Sequence, residues 1–285
     1  MSRRGRKSTL AAYYPSRRFP AVSVTGSQCQ LGCAHCEGHY LEGMLAAQTP
    51  DQLRVLAGEL EGRGCLGFLL SGGCDRSASV PLGRFAPAIA EIKRDTGLKV
   101  SVHPGLLGVR EAADLVNAGV DIFCIDVVQD PKVIRDVLAL EVRPDAYEDA
   151  LASLFTAGAK HVVPHICVGL NGKERSGERA AVEMVSRYPI SSLALLSFIP
   201  TAGTRMGQAP IVSDDHLLDI VGHAVDSVDC PVNLGCMRPR GNPDLELGCC
   251  EAGISGIAVP SPVTVRRLES LGVKVEKKEI CCAFL

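Results

Sequence analysis

Cys29, Cys33 and Cys36 fall within eight residues in a C-x3-C-x2-C pattern, on a stretch containing Gly26, Gln28, Gln30 and Gly32. Thiolates are soft ligands that favour iron–sulfur clusters, zinc or Cu(I). Three of them leave one metal position open. In a cubane iron–sulfur cluster the fourth iron can then bind a small molecule, whereas zinc needs a fourth ligand such as His35 or His39. Structural zinc usually pairs two short cysteine motifs, and no second pair stands nearby in the sequence. Chance grouping is disfavoured, because three closely spaced thiols are an oxidation liability.

Ten further cysteines bring the total to thirteen in 285 residues. An odd count without a signal-peptide pattern argues against a disulfide scaffold and for metal or redox chemistry in a cytoplasmic protein. Cys65, Cys74, Cys124 and Cys167 are spread singly through apolar segments and read as small buried hydrophobes. Cys230, Cys236, Cys249, Cys250, Cys281 and Cys282 crowd the last fifth, more than packing needs, and a Cys-Cys pair after the charged run 274–279 is poorly placed for a core.

The 30 Lys+Arg nearly balance 32 Asp+Glu, and 46% of the residues are hydrophobic, enough for one substantial core. Arg3, Arg4, Arg6, Lys7, Arg17 and Arg18 make residues 1–20 a short basic tail on an acidic body, read as a solvated end. Without a basic surface signal in the body, nucleic-acid binding is not expected. The longest uncharged stretch, residues 188–204, is broken by Pro189 and Pro200, so no membrane crossing is expected.

Apolar, partly β-branched runs at 21–25, 66–71, 98–102, 122–126, 161–166, 193–198, 231–234 and 254–259 alternate with helical patterns at 49–61, 81–94, 110–117, 146–156, 177–187 and 214–225. Gly64, Gly97, Gly119, Gly158, Gly253 and Gly272 each separate a helical pattern from the next apolar run. Strand–helix units of this number and length match an α/β protein of the (β/α)8 TIM type, complete or partial. An open doubly wound sheet is the alternative, but no G-x-G-x-x-G follows the first strand. The expected division is a tail at 1–20, a barrel at 21–234, and a final barrel unit with a cysteine-rich segment at 235–285. Such barrels put chemistry on loops after the strands. Those loops carry the three cysteines, then Gly72-Gly73-Cys74-Asp75, His103-Pro104-Gly105, Asp126, Val168-Gly169-Leu170 and 199–204.

With its cysteine triplet placed after the first barrel strand, the chain resembles the radical S-adenosylmethionine superfamily. That resemblance implies a [4Fe–4S] cluster on Cys29, Cys33 and Cys36, with S-adenosylmethionine chelating the open iron and yielding a 5′-deoxyadenosyl radical. His35 stands where the superfamily usually has an aromatic residue, and its flat face suits an adenine. Ser71-Gly72-Gly73 stands where the superfamily keeps a Gly-Gly-Glu motif that holds the methionine amino group, with Cys74 replacing the acid. Asp126 is a ribose or substrate contact by position, or else an N-terminal helix cap. Val168 and Gly169 resemble the stretch flanking adenine, or form an ordinary strand-to-helix turn.

Within the superfamily the barrel is most similar to the biotin synthase group, which inserts sulfur at unactivated carbon. The strand positions corresponding to that group's second-cluster ligands fall at Leu69, Ser101 and near Val163, which cannot ligate. Cys236, Cys250 and Cys281, with Cys249 and Cys282 as near-equal choices and Arg238 as a local contact, instead suggest an auxiliary [4Fe–4S] cluster; a zinc-binding or redox-active tail competes. Two clusters on this barrel resemble the two-component lipoyl synthases. That likeness implies sulfur insertion at C6 or C8 of an octanoyl chain on a lipoyl-carrier protein in a dry, apolar cavity. It also implies a homologous radical partner and an electron donor such as ferredoxin or flavodoxin. The alternatives are a radical enzyme modifying another cofactor or peptide, with the auxiliary cluster an electron conduit or anchor, and a non-catalytic zinc or iron–sulfur scaffold.

Overall fold

The computed structural model describes residues 7–15, 18–172, 175 and 177–284. Arg3, Arg4, Arg6 and Arg17 of the basic stretch lie outside them. The strands are β1 (Thr9–Tyr13), β2 (Ala21–Ser23), β3 (Leu45–Ala46), β4 (Gly67–Ser71), β5 (Lys99–Val102), β6 (Ile122–Asp126), β7 (Val162–Val168), β8 (Leu193–Ser197), β9 (Val232–Leu234), β10 (Gly256–Ala258) and β11 (Lys274–Lys278). The helices are α1 (Pro50–Gly62), α2 (Ala86–Asp95), α3 (Val109–Asn117), α4 (Asp145–Thr156), α5 (Glu178–Val185), α6 (Asp214–Ser227), α7 (Pro243–Glu251) and α8 (Pro262–Ser270).

All strands join one 11-stranded sheet in the order β11-β1-β10-β9-β8-β7-β6-β5-β4-β2-β3, and every pair is parallel. The end strands β3 and β11 do not pair, so the sheet curls into a partial TIM-type barrel. Eight strands and six helices fall where the periodicity places them. Parallel strands buried on both faces read as nearly continuous apolar runs, which is why these were legible.

Alternate residues of one strand serve two cores. Phe123 and Ile125 of β6 pack in the large core shared with the helices. Ile122 and Cys124 face the other way, into the lumen, with Val163, Ala194 and Ala283. Cys124, expected to be a buried hydrophobe, therefore lines the lumen.

Both chain ends differ from expectation. The stretch read as a solvated tail contains β1, inserted between β10 and β11, with Leu10 and Tyr13 buried. The charged run before the terminal cysteines is β11, an edge strand whose lysines and glutamates suit an exposed edge. Residues beyond it fold back into the lumen: Cys282 packs with Tyr13 and Ala258, Ala283 packs beside Cys124, and the Phe284 ring meets Phe19 edge-on at 5.3 Å. A cysteine pair that looked too exposed for a core is part of one.

Candidate active site

The cysteine loop leaves the C-terminal end of β2 and is held on three sides. From β4, Gly73 N–H donates to Thr25 Oγ1 at 2.7 Å, and Cys74 O accepts from Gln30 N–H at 2.8 Å. Gly73 has no room for a side chain, since a Cβ would stand 2.0 Å from Gln28 O and 2.6 Å from Cys29 Cα. Gly73 thus seats the cysteine loop. Below the loop, Ala34 N–H donates to Val137 O at 2.6 Å, and the Cys33 thiol donates to Leu138 O at 3.3 Å. Above it, the segment after β8 forms a strap: Met206 N–H donates to Ala34 O, Tyr40 and Thr201 share a hydroxyl hydrogen bond of 2.8 Å, and Arg205 pairs with Glu37 at 2.8 Å. Glu37 sits at φ 43, an uncommon backbone state that this pairing helps to hold.

Within the loop, Cys33 Sγ, Cys36 Sγ and a ring nitrogen of His35 lie within 4.8 Å of one another. Hydrogen bonding to Cys33 is the main cause that pulls the Cys36 thiol down to about 4, and His35 and the Gly38 N–H add to it. The same hydrogen bond, then burial, pushes Cys33 up. One member of the pair is thereby poised as a thiolate. The Cys29 thiol lies 3.7 Å from Cys74 O. Burial first, then the nearby Cys29 and Asp126, push Cys74 up to about 12, so it stays a thiol at neutral pH. His35 Nδ1 is buried without a hydrogen-bond partner. His39 is elsewhere, 3.7 Å from Glu42 on the surface. Cys29 lies outside that 4.8 Å group, but three soft thiols on one loop, two of them gathered with a ring nitrogen, fit an iron–sulfur cluster.

Beside one another stand His103 just after β5, Asp126 at the end of β6 and His165 in mid-β7, the register partner of Asp126. His103 Nε2 lies 3.5 Å from Asp126 Oδ1, and the two imidazole rings are 5.5 Å apart. Burial alone would raise Asp126, but the charge and hydrogen bond of His103 override it and hold Asp126 near about 2. His103 is itself held above its ordinary value, Asp126 outweighing burial. His165, disfavoured by burial and then by charged His103, drops to about 4 and is neutral. The Asp126 side chain is 57% exposed because it borders the open lumen. It caps no helix; the capping contact belongs to Asp130, which accepts from Lys132 N–H at 2.7 Å. This part of the lumen is polar, contrary to the expected apolar cavity.

Ser71 donates to His103 O at 2.9 Å and steadies that strand end. Val168 points away from the lumen into the core shared with the helices, so only its backbone can face a ligand. Gly169 has φ +88, and its N–H donates to buried Glu178 at 3.1 Å.

The C-terminal cysteines divide. Cys249 and Cys250 lie on α7 in the large core, fully buried, which removes them from any lumen site. Cys236 is exposed, two residues beyond β9, and Cys281 and Cys282 enter from the folded-back terminus. Arg238 is no ligand contact: its guanidinium donates to Gly235 O, Ala258 O and Glu246. Sequence reasoning missed His165 and Cys124, whose signal was their place on the lumen-facing alternation of β7 and β6.

The family model described as the radical SAM superfamily matches residues 23–183. The chain belongs to the radical SAM superfamily. It is biotin synthase-related: it is 26% identical over 249 residues to a biotin synthase of Caulobacter sp. (strain K31), covering 84% of this chain and 72% of that one. Among solved structures it is similar to HydG, a maturase of the [FeFe]-hydrogenase (TM-score 0.66, 17% identity, 98% of this chain), and spans 61% of that longer chain. It is also similar to methylornithine synthase PylB (TM-score 0.62, 16% identity, 94% of this chain and 84% of that one). At these identities the structural likenesses bear on the fold alone. The superfamily implies a [4Fe–4S] cluster and S-adenosylmethionine, and the cysteine motif that holds such a cluster is present. No helix among the described residues is long and apolar enough to cross a membrane.

Proposed function

We propose that this radical SAM enzyme inserts sulfur at unactivated carbon, C6 or C8 of an octanoyl chain borne on a lysine of a lipoyl-carrier protein. In this proposal it works beside a homologous radical enzyme, supplied with electrons by a ferredoxin or flavodoxin. The observation that carries the proposal is the Cys281 thiol of the folded-back terminus packed with Cys124 in the lumen of a biotin synthase-related chain. When bound, the loop cluster supplies one-electron cleavage of S-adenosylmethionine, and an auxiliary cluster supplies sulfide. Cys29, Cys33 and Cys36 would hold the first cluster, with His35 beside it. Gly73 keeps the loop seated on the sheet, the Tyr40–Thr201 and Arg205–Glu37 contacts hold the strap over it, and in this reading Asp126 would accept from ribose hydroxyls. The test is product analysis: anaerobically reconstituted enzyme with reductant and S-adenosylmethionine yields 5′-deoxyadenosine, and an octanoyl-lysine peptide gains the mass of sulfur.

The His103–Asp126 pair supports a second function, because an octanoyl chain has no use for a charged pair in the lumen. In that case the same radical chemistry modifies another cofactor or a peptide, with the auxiliary cluster as anchor or electron conduit. Deoxyadenosine formed without sulfur transfer to octanoyl peptide selects it.

A further inference from the structure

Glu178 opens α5, yet its side chain is only 4% exposed. A carboxylate so far from water is costly unless it is hydrogen-bonded. Its Oε1 reaches nine residues back along the chain and accepts the Gly169 N–H at 3.1 Å. His216, in the first turn of α6 and as deeply buried, brings Nε2 to 3.9 Å from the same oxygen, and among the described residues that nitrogen has no hydrogen-bond partner. Gly169 sits at φ +88, and a Cβ there would stand 2.8 Å from Val212 Cβ, so Val212 packs directly against the turn. The next residue, Ser213, is the N-cap of α6, and its side chain accepts from His216 N–H at 3.3 Å. The end of β7 and the start of α6 are thus locked together at Gly169.

The turn so held belongs to the rim that carries the cysteine loop. Leu170 packs with Val133, Val137 and Phe198, and Met206 of the strap packs against that group. Val137 O accepts the Ala34 N–H at 2.6 Å, and Ala34 O accepts the Met206 N–H at 3.1 Å. A shift of the Gly169–Leu170 turn therefore moves the wall to which the cysteine loop is tied. We propose that Glu178, braced by His216, is a positioning residue for S-adenosylmethionine: through Gly169 it fixes the backbone after β7 as the wall against which the cosubstrate seats. Glu178 does not itself touch the cosubstrate, because its carboxylate is spent on the Gly169 N–H behind that wall. This role concerns cosubstrate binding alone, and holds whether the radical goes on to insert sulfur or to modify another cofactor or peptide.

The experiment compares the full chain with Glu178→Ala and Glu178→Gln, each reconstituted anaerobically and checked for iron content and, by circular dichroism, for folding. Hydrogen exchange at the Gly169 amide and S-adenosylmethionine binding by equilibrium dialysis are read before catalysis. Glu178→Ala should exchange faster at Gly169 and bind S-adenosylmethionine about tenfold more weakly, the scale of one hydrogen bond to a charged group, with KM rising in step. Its iron content, and its kcat for 5′-deoxyadenosine formation at saturating cosubstrate, should stay near wild type. Glu178→Gln should recover most of the binding, since a carboxamide oxygen still accepts from the N–H. Should Glu178→Ala not fold, Val212→Ala loosens the same turn without leaving a buried polar group unpaired, and is expected to weaken binding severalfold. Wild-type binding in folded Glu178→Ala, or in Val212→Ala where that one stands in, would overturn the proposal. So would a fall in kcat at unchanged binding, or Glu178→Gln binding as weakly as Glu178→Ala. Sulfur transfer is not read here, so its failure in the product assay would count against the proposed function alone.

Discussion

Replacing Gly73 with alanine tests whether this residue, just after β4, acts by seating the cysteine loop. The new Cβ would lie 2.0 Å from Gln28 O and 2.6 Å from Cys29 Cα, against the 3.4 Å at which ordinary contact begins. The loop backbone must retreat by about 1.4 Å, because both atoms are main chain and no rotamer relieves them. Overpacking of this kind costs about 1–3 kcal/mol of stability, and misplacing a reactive group by about 1 Å costs roughly 100-fold in rate. Gly72→Ala is the milder comparison, since the atoms nearest its new Cβ are side-chain atoms of Thr25 and Val24 at 3.0–3.3 Å, which can give where main chain cannot. Both variants are reconstituted anaerobically and assayed for iron and for 5′-deoxyadenosine formed from S-adenosylmethionine. Gly73→Ala should load poorly at the loop cluster and lose about two orders of magnitude in cosubstrate cleavage, with Gly72→Ala affected less. Wild-type iron and cleavage in Gly73→Ala would refute the seating role.

Asp126→Asn removes the charge that holds His103 up, leaving burial to lower it, so the imidazole should titrate at lower pH than in wild type by NMR. The sign for stability follows from both partners. His103, raised when folded, stabilises at low pH and loses that contribution as pH rises through its folded value; Asp126, lowered to about 2, loses its contribution as pH falls from its ordinary value near 3.8 toward 2. The wild-type advantage over Asp126→Asn in urea melts should therefore be greatest between those limits. Gly169→Ala forces a side chain onto φ +88 with its Cβ 2.8 Å from Val212 Cβ, and should lower unfolding stability by about 1–3 kcal/mol in denaturant titration.

The sequence was most legible where one physical signal was strong. Strands such as β6 and β8, apolar on both faces, could be placed to within a residue, and Thr49 marked the start of α1 through a capping box with Gln52. Edge elements were not legible: β11 is charged because it is exposed, and β1 is short and flanked by arginines, so both looked like solvated chain. The cysteine loop could be recognised because its ligands are local in sequence. Cys236 and Cys281 were named from the sequence for an auxiliary cluster, but Cys124 was read as a buried hydrophobe, because only the fold-back of the terminus brings Cys281 to its strand. Cys249 and Cys250 illustrate the converse: a cysteine pair looks like a ligand set until a helix turns both into the apolar core.

The central claim is that Cys29, Cys33 and Cys36 hold the cluster that splits S-adenosylmethionine. It is tested most directly by 5′-deoxyadenosine formation under reductant, comparing reconstituted wild type with the variant in which all three are alanine. Deoxyadenosine from the wild type and none from the variant is the predicted result. Equal amounts from both, or none from iron-loaded wild type, would contradict it.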